Sequence, residues 1–174
     1  MHHHKKEKIS LEKMKKLPYK ALNRMINKAK EFLKKDKTMQ DIFKEYGSDV
    51  DIIDYIPTYF DDLDVSAKTD HGIVILNYKL LCDGDFFKDY SYLIHEYTHW
   101  AQQCLGEKPT KSSDNGSYLH NPYEQEGFQN QVEYISNHFG KDEAEKYVEH
   151  LLNYHDVDKK KEKDKLEAIF LEKV

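Results

Sequence analysis

The chain contains 174 residues, which is enough for one domain and too short for two well-packed cores joined by a linker. Asp and Glu together number 32, against 27 for Lys and Arg, and the resulting net charge of −5 argues against a general nucleic-acid binder. The aromatic content of 13% is too high for a disordered polyelectrolyte. We therefore expect residues 1–174 to form one domain without a nucleic-acid partner.

Neither a membrane segment nor a signal peptide is expected. No run approaches the roughly 18 to 20 apolar residues that span a bilayer, and the first ten residues lack the apolar stretch of a signal peptide. The two cysteines, Cys82 and Cys104, do not have the Cys-x-x-Cys spacing of a thiolate metal site. These features favour a cytoplasmic protein with no membrane partner and with reduced, structural cysteines.

The N-terminal third is predicted to be helical. Residues 1–37 are assigned to an N-terminal charged helical segment, because apolar residues recur every three or four positions between residues 10 and 37. Pro18 should break or kink this helix near its start. Thr38 is suited to cap a second short helix that Gly47 ends. A further short helix or turn is expected at Asp51–Pro57.

A small β-structure is expected next. Leu63, Val65 and Ala67 alternate with polar residues, and the β-branched run Ile73–Leu76 follows a turn-forming sequence that ends in Gly72. This pattern predicts a β-hairpin.

The second half of the chain is predicted to be mostly helical, with a catalytic core over residues 38–155 and a charged tail over residues 156–174. Asn121 and Pro122 form a typical helix start, and Gly106 and Gly140 are suited to end helices. We expect a helix over about residues 85–105, followed by a polar loop over 107–121. A second helix should run from Pro122 to about Phe139, and a third should span about 142–154. The tail is expected to be either a solvated helix or a docking arm.

The sequence His95-Glu96-Tyr97-Thr98-His99 lies within the first of these helices. Residues four positions apart lie on one helix face, about one turn above each other, so both imidazoles can bind one ion. Glu96 projects about 100° away, too far to bind the same ion but close enough to reach a water molecule beside it. This spacing is typical of zinc-assisted hydrolysis.

The third metal ligand is expected to come from the helix that starts at Pro122. Gln102 and Leu105 occupy the positions where a three-histidine site would have Gly and His, so that kind of site is excluded. Glu124 lies at the edge of the apolar stripe of this helix, whereas Glu126 lies about 200° away from Glu124. We predict Glu124 as the ligand, with Glu126 as the alternative. The stripe consists of Phe128, Val132, Ile135 and Phe139.

The His-Glu-x-x-His motif followed by Glu124-x-x-Gly127 resembles the gluzincin class of zinc metallopeptidases. Over roughly residues 63–139 the chain also resembles small metallopeptidase-like proteins of bacteria and phages. The resemblance implies an α+β, mainly helical, zincin-like fold with a small β-hairpin or sheet packed on the motif helix, and one Zn²⁺. It further implies that Ile73–Asn77 lines the cleft and that a peptide or protein substrate adds as an extended edge strand.

Two positions depart from the pattern of these proteins. Gly127 stands where related sequences commonly have Ala. Phe128 replaces the Asp or Asn that often lies four residues after the ligand Glu and braces a histidine. Counted from Glu126, the fourth residue is Asn130, which is why Glu126 stays open as the ligand.

In the expected mechanism, three protein ligands leave the fourth zinc position to water, whose pKa the ion lowers toward 7. Glu96 takes the proton and later delivers it to the leaving amine. Tyr118 and His120 are the candidate donors to the oxyanion. The alternatives are a catalytically inactive zincin-like binding module and a helical interaction protein.

Other prominent residues are expected to have structural roles. Trp100 is assigned to the core, because an aromatic residue directly after the motif is most simply explained by packing. His138, His150 and His155 are assigned to surface or packing positions, since they have no metal-ligand spacing to one another.

Overall fold

A computed structural model of the chain describes residues 8–83, 86–106 and 118–174. These ranges are mainly helical and contain one small sheet, which confirms the α+β class. Within them, no helix combines the length and the apolar character that a membrane span requires. The helices are α1 (Leu11–Lys15), α2 (Tyr19–Lys34), α3 (Lys37–Glu45), α4 (Tyr90–Cys104), α5 (Pro122–Phe139), α6 (Lys141–Tyr154) and α7 (Lys160–Phe170), and the strands are β1 (Thr58–Asp61), β2 (Ala67–Asp70) and β3 (Ile73–Asn77).

The break at Pro18 separates α1 from α2 as predicted. The cap of α3 was assigned wrongly, because the Asp36 carboxylate, and not the Thr38 hydroxyl, accepts the N–H of Met39 at 2.9 Å. Thr38 lies in the first turn and is buried. An aspartate one residue before a helix satisfies the free N–H groups of its first turn.

The sheet has the strand order β1-β3-β2. The predicted hairpin is confirmed as the antiparallel pair β2 and β3, but its first strand begins at Ala67 and not at Leu63. The Asn77 amide explains the difference, because it donates to the carbonyls of Leu63 and Val65 and so holds this segment outside the ladder. Strand β1, which pairs in parallel with β3, was not predicted.

Helix α4 packs against the sheet and begins at Tyr90, later than the predicted start near residue 85. Trp100 is half-buried on this helix. Its indole N–H donates to the carbonyl of Gly72 at 3.1 Å, and its ring centre lies 6.3 Å from that of Phe43. Trp100 therefore fixes the turn of the hairpin to the helix that bears the motif.

Helix α5 is the central element of the helical layer, in contact with α3, α4, α6 and α7. It starts as predicted, with the Asn121 side chain accepting the N–H of Tyr123, and it ends at Gly140. Most of its predicted stripe is buried, but so are residues on other faces, because neighbouring helices cover it on several sides. These additional buried residues are Gly127, Asn130, Gln131 and Tyr134.

The tail forms helix α7, which docks on the rest of the protein. Leu166 and Phe170 are fully buried, and the Phe170 ring lies 5.5 Å from that of Phe128 on α5. Of the two expectations for the tail, the docking arm is the one observed.

Candidate metal centre

Three donor atoms from two helices converge at one point. The Nε2 atoms of His95 and His99 are 3.0 Å apart, and Glu124 Oε1 lies 3.1 Å from the first and 2.8 Å from the second. Donors bound at 2.0–2.1 Å around a tetrahedral Zn²⁺ are separated by about 3.3 Å. These three residues form a potential metal-binding group, and within the described ranges no other group of three His, Cys, Asp or Glu side chains does so.

The three side chains are largely shielded from water, with exposed fractions of 5%, 12% and 16% for His95, His99 and Glu124. Burial raises the pKa of Glu124, but hydrogen bonds from both histidines outweigh this effect and hold the pKa well below its usual range. Burial likewise lowers the pKa of His99, but the bond to Glu124 outweighs it and raises that pKa to about 9. These two shifts favour a protonated His99 paired with an ionised Glu124. A cation bound between the two side chains would take the place of the His99 proton.

Glu96 lies beside the donor atoms but is not one of them. Its side chain is buried, and its Oε1 atom accepts a hydrogen bond from the Thr69 hydroxyl at 3.0 Å. Thr69 belongs to β2, so the strand fixes the position of this carboxylate. Glu96 and His95 line the same two cavities.

Glu126, the alternative ligand, does not reach the histidines. Its carboxylate accepts the Tyr46 hydroxyl at 2.8 and 2.9 Å and the Gln102 amide N–H at 2.9 Å. Gln102 in turn lies 2.7 Å from His99 Nδ1 through its Oε1 atom. Of the two acids, Glu124 is therefore the one that meets the two histidines, and Glu126 lies two hydrogen bonds away from His99.

The two histidines have different surroundings at their second ring nitrogen. His95 Nδ1 is buried and has no hydrogen-bond partner among the described residues, and the Phe128 ring lies 4.4 Å from the imidazole. Asn130 does not brace a histidine, because its amide donates to Thr98 and its oxygen accepts Lys173. The contact on this side of the His95 ring is therefore apolar.

The two candidate oxyanion donors have different positions. Tyr118 is hydrogen-bonded to Glu124, and its pKa is raised by burial and by the charge of that carboxylate. The Nε2 atom of His120 pairs with Glu162 on α7 at 2.8 Å, and His120 lines neither of the two cavities at the site. Of these two residues, only Tyr118 therefore lies near the group formed by His95, His99 and Glu124.

Two cavities with volumes of about 460 and 410 Å³ share the side chains of His95 and Glu96 in their walls. Strand β2 borders them at the free edge of the sheet. The expectation that residues 73–77 line the cleft is wrong, because β3 is the central strand of the sheet and none of its residues lines either cavity. The cavities share Val65, Ala67, His95, Glu96 and Tyr118.

Helix α6 contributes one wall of the larger cavity, a role that was not predicted. His150 and His155 both line this cavity, and the His155 ring stacks on Tyr118 at 5.2 Å, whereas His138 pairs with Asp36 as a packing residue. The sequence signal for this wall is a stripe with helical spacing. Its members are Tyr147, His150, Leu151 and Tyr154.

Comparisons of the chain with family models, curated proteins and solved structures give no match.

Proposed function

We propose that this protein is a zinc-dependent metallopeptidase. The observation that supports the proposal most strongly is the convergence of His95, His99 and Glu124 at hydrogen-bond distances, with the buried carboxylate of Glu96 in the same cleft. Two imidazoles and one carboxylate from consecutive helices are a ligand set of catalytic zinc, which leaves a coordination position open for water or substrate.

The donor set favours zinc over the common hard cations. Ca²⁺ and Mg²⁺ prefer six or more oxygen ligands, whereas this site offers two nitrogen atoms and one carboxylate. His99 presents Nε2 to the site while its Nδ1 atom faces Gln102, which is the usual arrangement of a metal-binding imidazole.

In the proposed reaction, a bound zinc ion supplies Lewis acidity, which acidifies water and polarises the peptide carbonyl. Glu96 accepts the proton of the attacking water and delivers it to the amine of the leaving product. The Thr69 hydroxyl orients the carboxylate for this transfer. The Tyr118 hydroxyl donates to the oxyanion that develops on the carbonyl oxygen.

The cleft is suited to a peptide in an extended conformation. Strand β2 is an edge strand and its outer side faces the cleft, so its free backbone groups can pair with a substrate strand. Glu96 lines two cavities, which offer space for the substrate side chains that flank the scissile bond.

The first test is zinc content, measured on the full chain with His2, His3 and His4 replaced by Ala to remove N-terminal metal binding. We expect about one zinc per chain in this protein and none in the additional His95→Ala/His99→Ala variant. A chain without zinc would contradict the proposal and favour the helical interaction protein.

The second test is hydrolysis of a mixed peptide library, followed by mass spectrometry. Glu96→Gln should retain zinc and lose nearly all activity, because an amide cannot accept the proton. Glu133→Gln is the matched control, since Glu133 lies on α5 and bonds to Thr38, remote from the cleft. Zinc binding without hydrolysis of any peptide would indicate the inactive binding module.

A further inference from the structure

We propose that Glu126 is a positioning residue that holds His99 in its metal-binding orientation through Gln102. The inference rests on the proposed metal site and extends it. It is supported by a chain of three hydrogen bonds across three helices, from Tyr46 through Glu126 and Gln102 to His99.

The first step concerns the Gln102 side-chain amide, whose two ends have opposite hydrogen-bonding character. Its NH₂ group donates to Glu126 Oε2 at 2.9 Å and to the Tyr123 carbonyl at 3.0 Å. A carboxylate and a carbonyl only accept hydrogen bonds, so both amide hydrogens must face them. Gln102 is 2% exposed, and water therefore has little access to offer an alternative pairing.

The second step concerns the His99 ring. Because the NH₂ group is occupied, the Gln102 carbonyl oxygen must face His99 Nδ1, which lies 2.7 Å away. An acceptor at that position requires a proton on Nδ1, and the neutral ring then has its lone pair on Nε2. Nε2 is the atom that faces His95 and Glu124, so the amide selects the tautomer that binds a cation.

The third step concerns Glu126 itself. Tyr46 follows directly after α3, and its hydroxyl lies within hydrogen-bond distance of both Glu126 oxygens. The Glu126 carboxylate also accepts a hydrogen bond from the Gln102 amide on α4. Without this carboxylate, the amide could turn over and present its NH₂ group to Nδ1. That arrangement would favour a proton on Nε2 and would oppose metal binding.

The proposed role concerns one ligand only. His95 Nδ1 has no hydrogen-bond partner among the described residues, so its ring depends on packing against Phe128. The orientation of His99 is therefore the part of the site that a change at Glu126 should affect.

The first experiment measures zinc affinity with a competing chelator. We expect Glu126→Ala to weaken zinc binding roughly 10- to 100-fold, the range for residues that orient a ligand.

Gln102→Glu should also weaken zinc binding, because the carboxylates of residues 102 and 126 would then face each other. The double variant Gln102→Glu/Glu126→Gln should bind more tightly than Gln102→Glu, since the new carboxylate would accept from His99 and the new amide would donate to that carboxylate. Unchanged affinity in Glu126→Ala, or no rescue in the double variant, would overturn the proposal.

The matched control is Glu133→Ala, which removes a half-buried carboxylate from the same helix and should leave zinc affinity unchanged. If Glu133→Ala weakens zinc binding as much as Glu126→Ala, the effect is a general one of the helix and the inference fails.

The second experiment needs no metal. We would measure the solvent exchange of the His99 Nδ1 proton by NMR in the metal-free protein, because the Gln102 oxygen that accepts this proton lies 2.7 Å from Nδ1. This proton should exchange slowly in the wild type and in Glu133→Ala, and faster in Glu126→Ala. Equal exchange in all three would overturn the inference. Failure of the wild type to bind zinc would instead reject the proposed function, so the two failures are distinguishable.

Discussion

Gly127 and His95 are in such close contact that the ring occupies the space of a side chain at position 127. A Cβ atom there would lie 2.9 Å from His95 Cε1 and 3.1 Å from both ring nitrogens. The glycine at position 127 thus has a structural basis. Helix α5 can approach α4 at this point only because residue 127 has no side chain.

The first prediction is that Gly127→Ala weakens zinc binding. Alanine at a helix interior position ordinarily stabilises a protein by about 1 kcal/mol relative to glycine. Here the added methyl group would displace a buried ring that is packed against Phe128, so we expect loss of both zinc affinity and stability. Chelator competition and thermal unfolding measure the two effects. A more stable variant with wild-type affinity would contradict the prediction.

The second prediction separates the two acids of α5. Glu124→Ala removes one of three donor atoms and should reduce zinc affinity by orders of magnitude, well beyond the loss in Glu126→Ala. Zinc titration of both variants provides the comparison. A larger loss in Glu126→Ala would mean that the site is assembled differently.

The third prediction concerns the stability of the metal-free protein. Burial lowers the pKa of His99, but pairing with Glu124 outweighs burial and raises this pKa from 6.5 to about 9. The resulting stabilisation of the fold is fully present below pH 6.5 and is lost as the pH rises through 9. The pKa of Glu124 is lowered from 4.5, so the stabilisation is present above pH 4.5 and is lost as the pH falls below it. The difference in free energy of unfolding between wild type and Glu124→Gln should therefore be largest between pH 4.5 and 6.5.

Urea unfolding across the pH range, with chelator present, measures this difference. Glu133→Gln provides the control, because its carboxylate pairs with neither histidine. A difference that does not depend on pH would show that the pair makes no contribution.

The fourth prediction concerns Thr69, whose hydroxyl donates to Glu96. Thr69→Val should lower kcat by about tenfold or more while zinc affinity stays unchanged, because the general base loses its orienting bond. Thr69→Ser retains the hydroxyl and should restore kcat. If Thr69→Ser is as impaired as Thr69→Val, the side-chain volume matters and the hydrogen bond does not.

The fifth prediction concerns the tail helix. Phe170 is fully buried against Phe128, which in turn contacts His95. Phe170→Ala should destabilise the protein by about 3–5 kcal/mol through the cavity that it creates. Phe170→Leu, which fills more of that space, should cost less in thermal unfolding. Equal stability of the alanine variant and the wild type would mean that α7 is not docked in solution.

Helix positions and the pair of motif histidines could be predicted because both depend on local sequence. The spacing of His95 and His99 places them on one face whatever surrounds the helix. Asn121 and Pro122 define the start of α5 through groups within a few residues. The preference for Glu124 over Glu126 also follows from helix phase, which is a local property.

The remaining features depend on contacts between distant segments. Strand β1 has four residues, and its partner β3 is parallel and more than ten residues away, so no hairpin signal marks it. The contacts of Glu126 with Tyr46 and Gln102 depend on how α3, α4 and α5 pack. The stripe on α6 has the spacing of an ordinary core face, and the sequence does not show that it faces a cavity.

The donors His99 and Glu124 are 25 positions apart in the chain, and they meet only where α4 and α5 pack. An unfolded chain therefore offers at most the two histidines, whose affinity alone is weak. Zinc should accordingly bind late in folding and leave early in unfolding, and its release can report on the docking of these two helices. An ion that binds the native state in this way also slows unfolding, so the lifetime of the folded protein should increase with free zinc concentration.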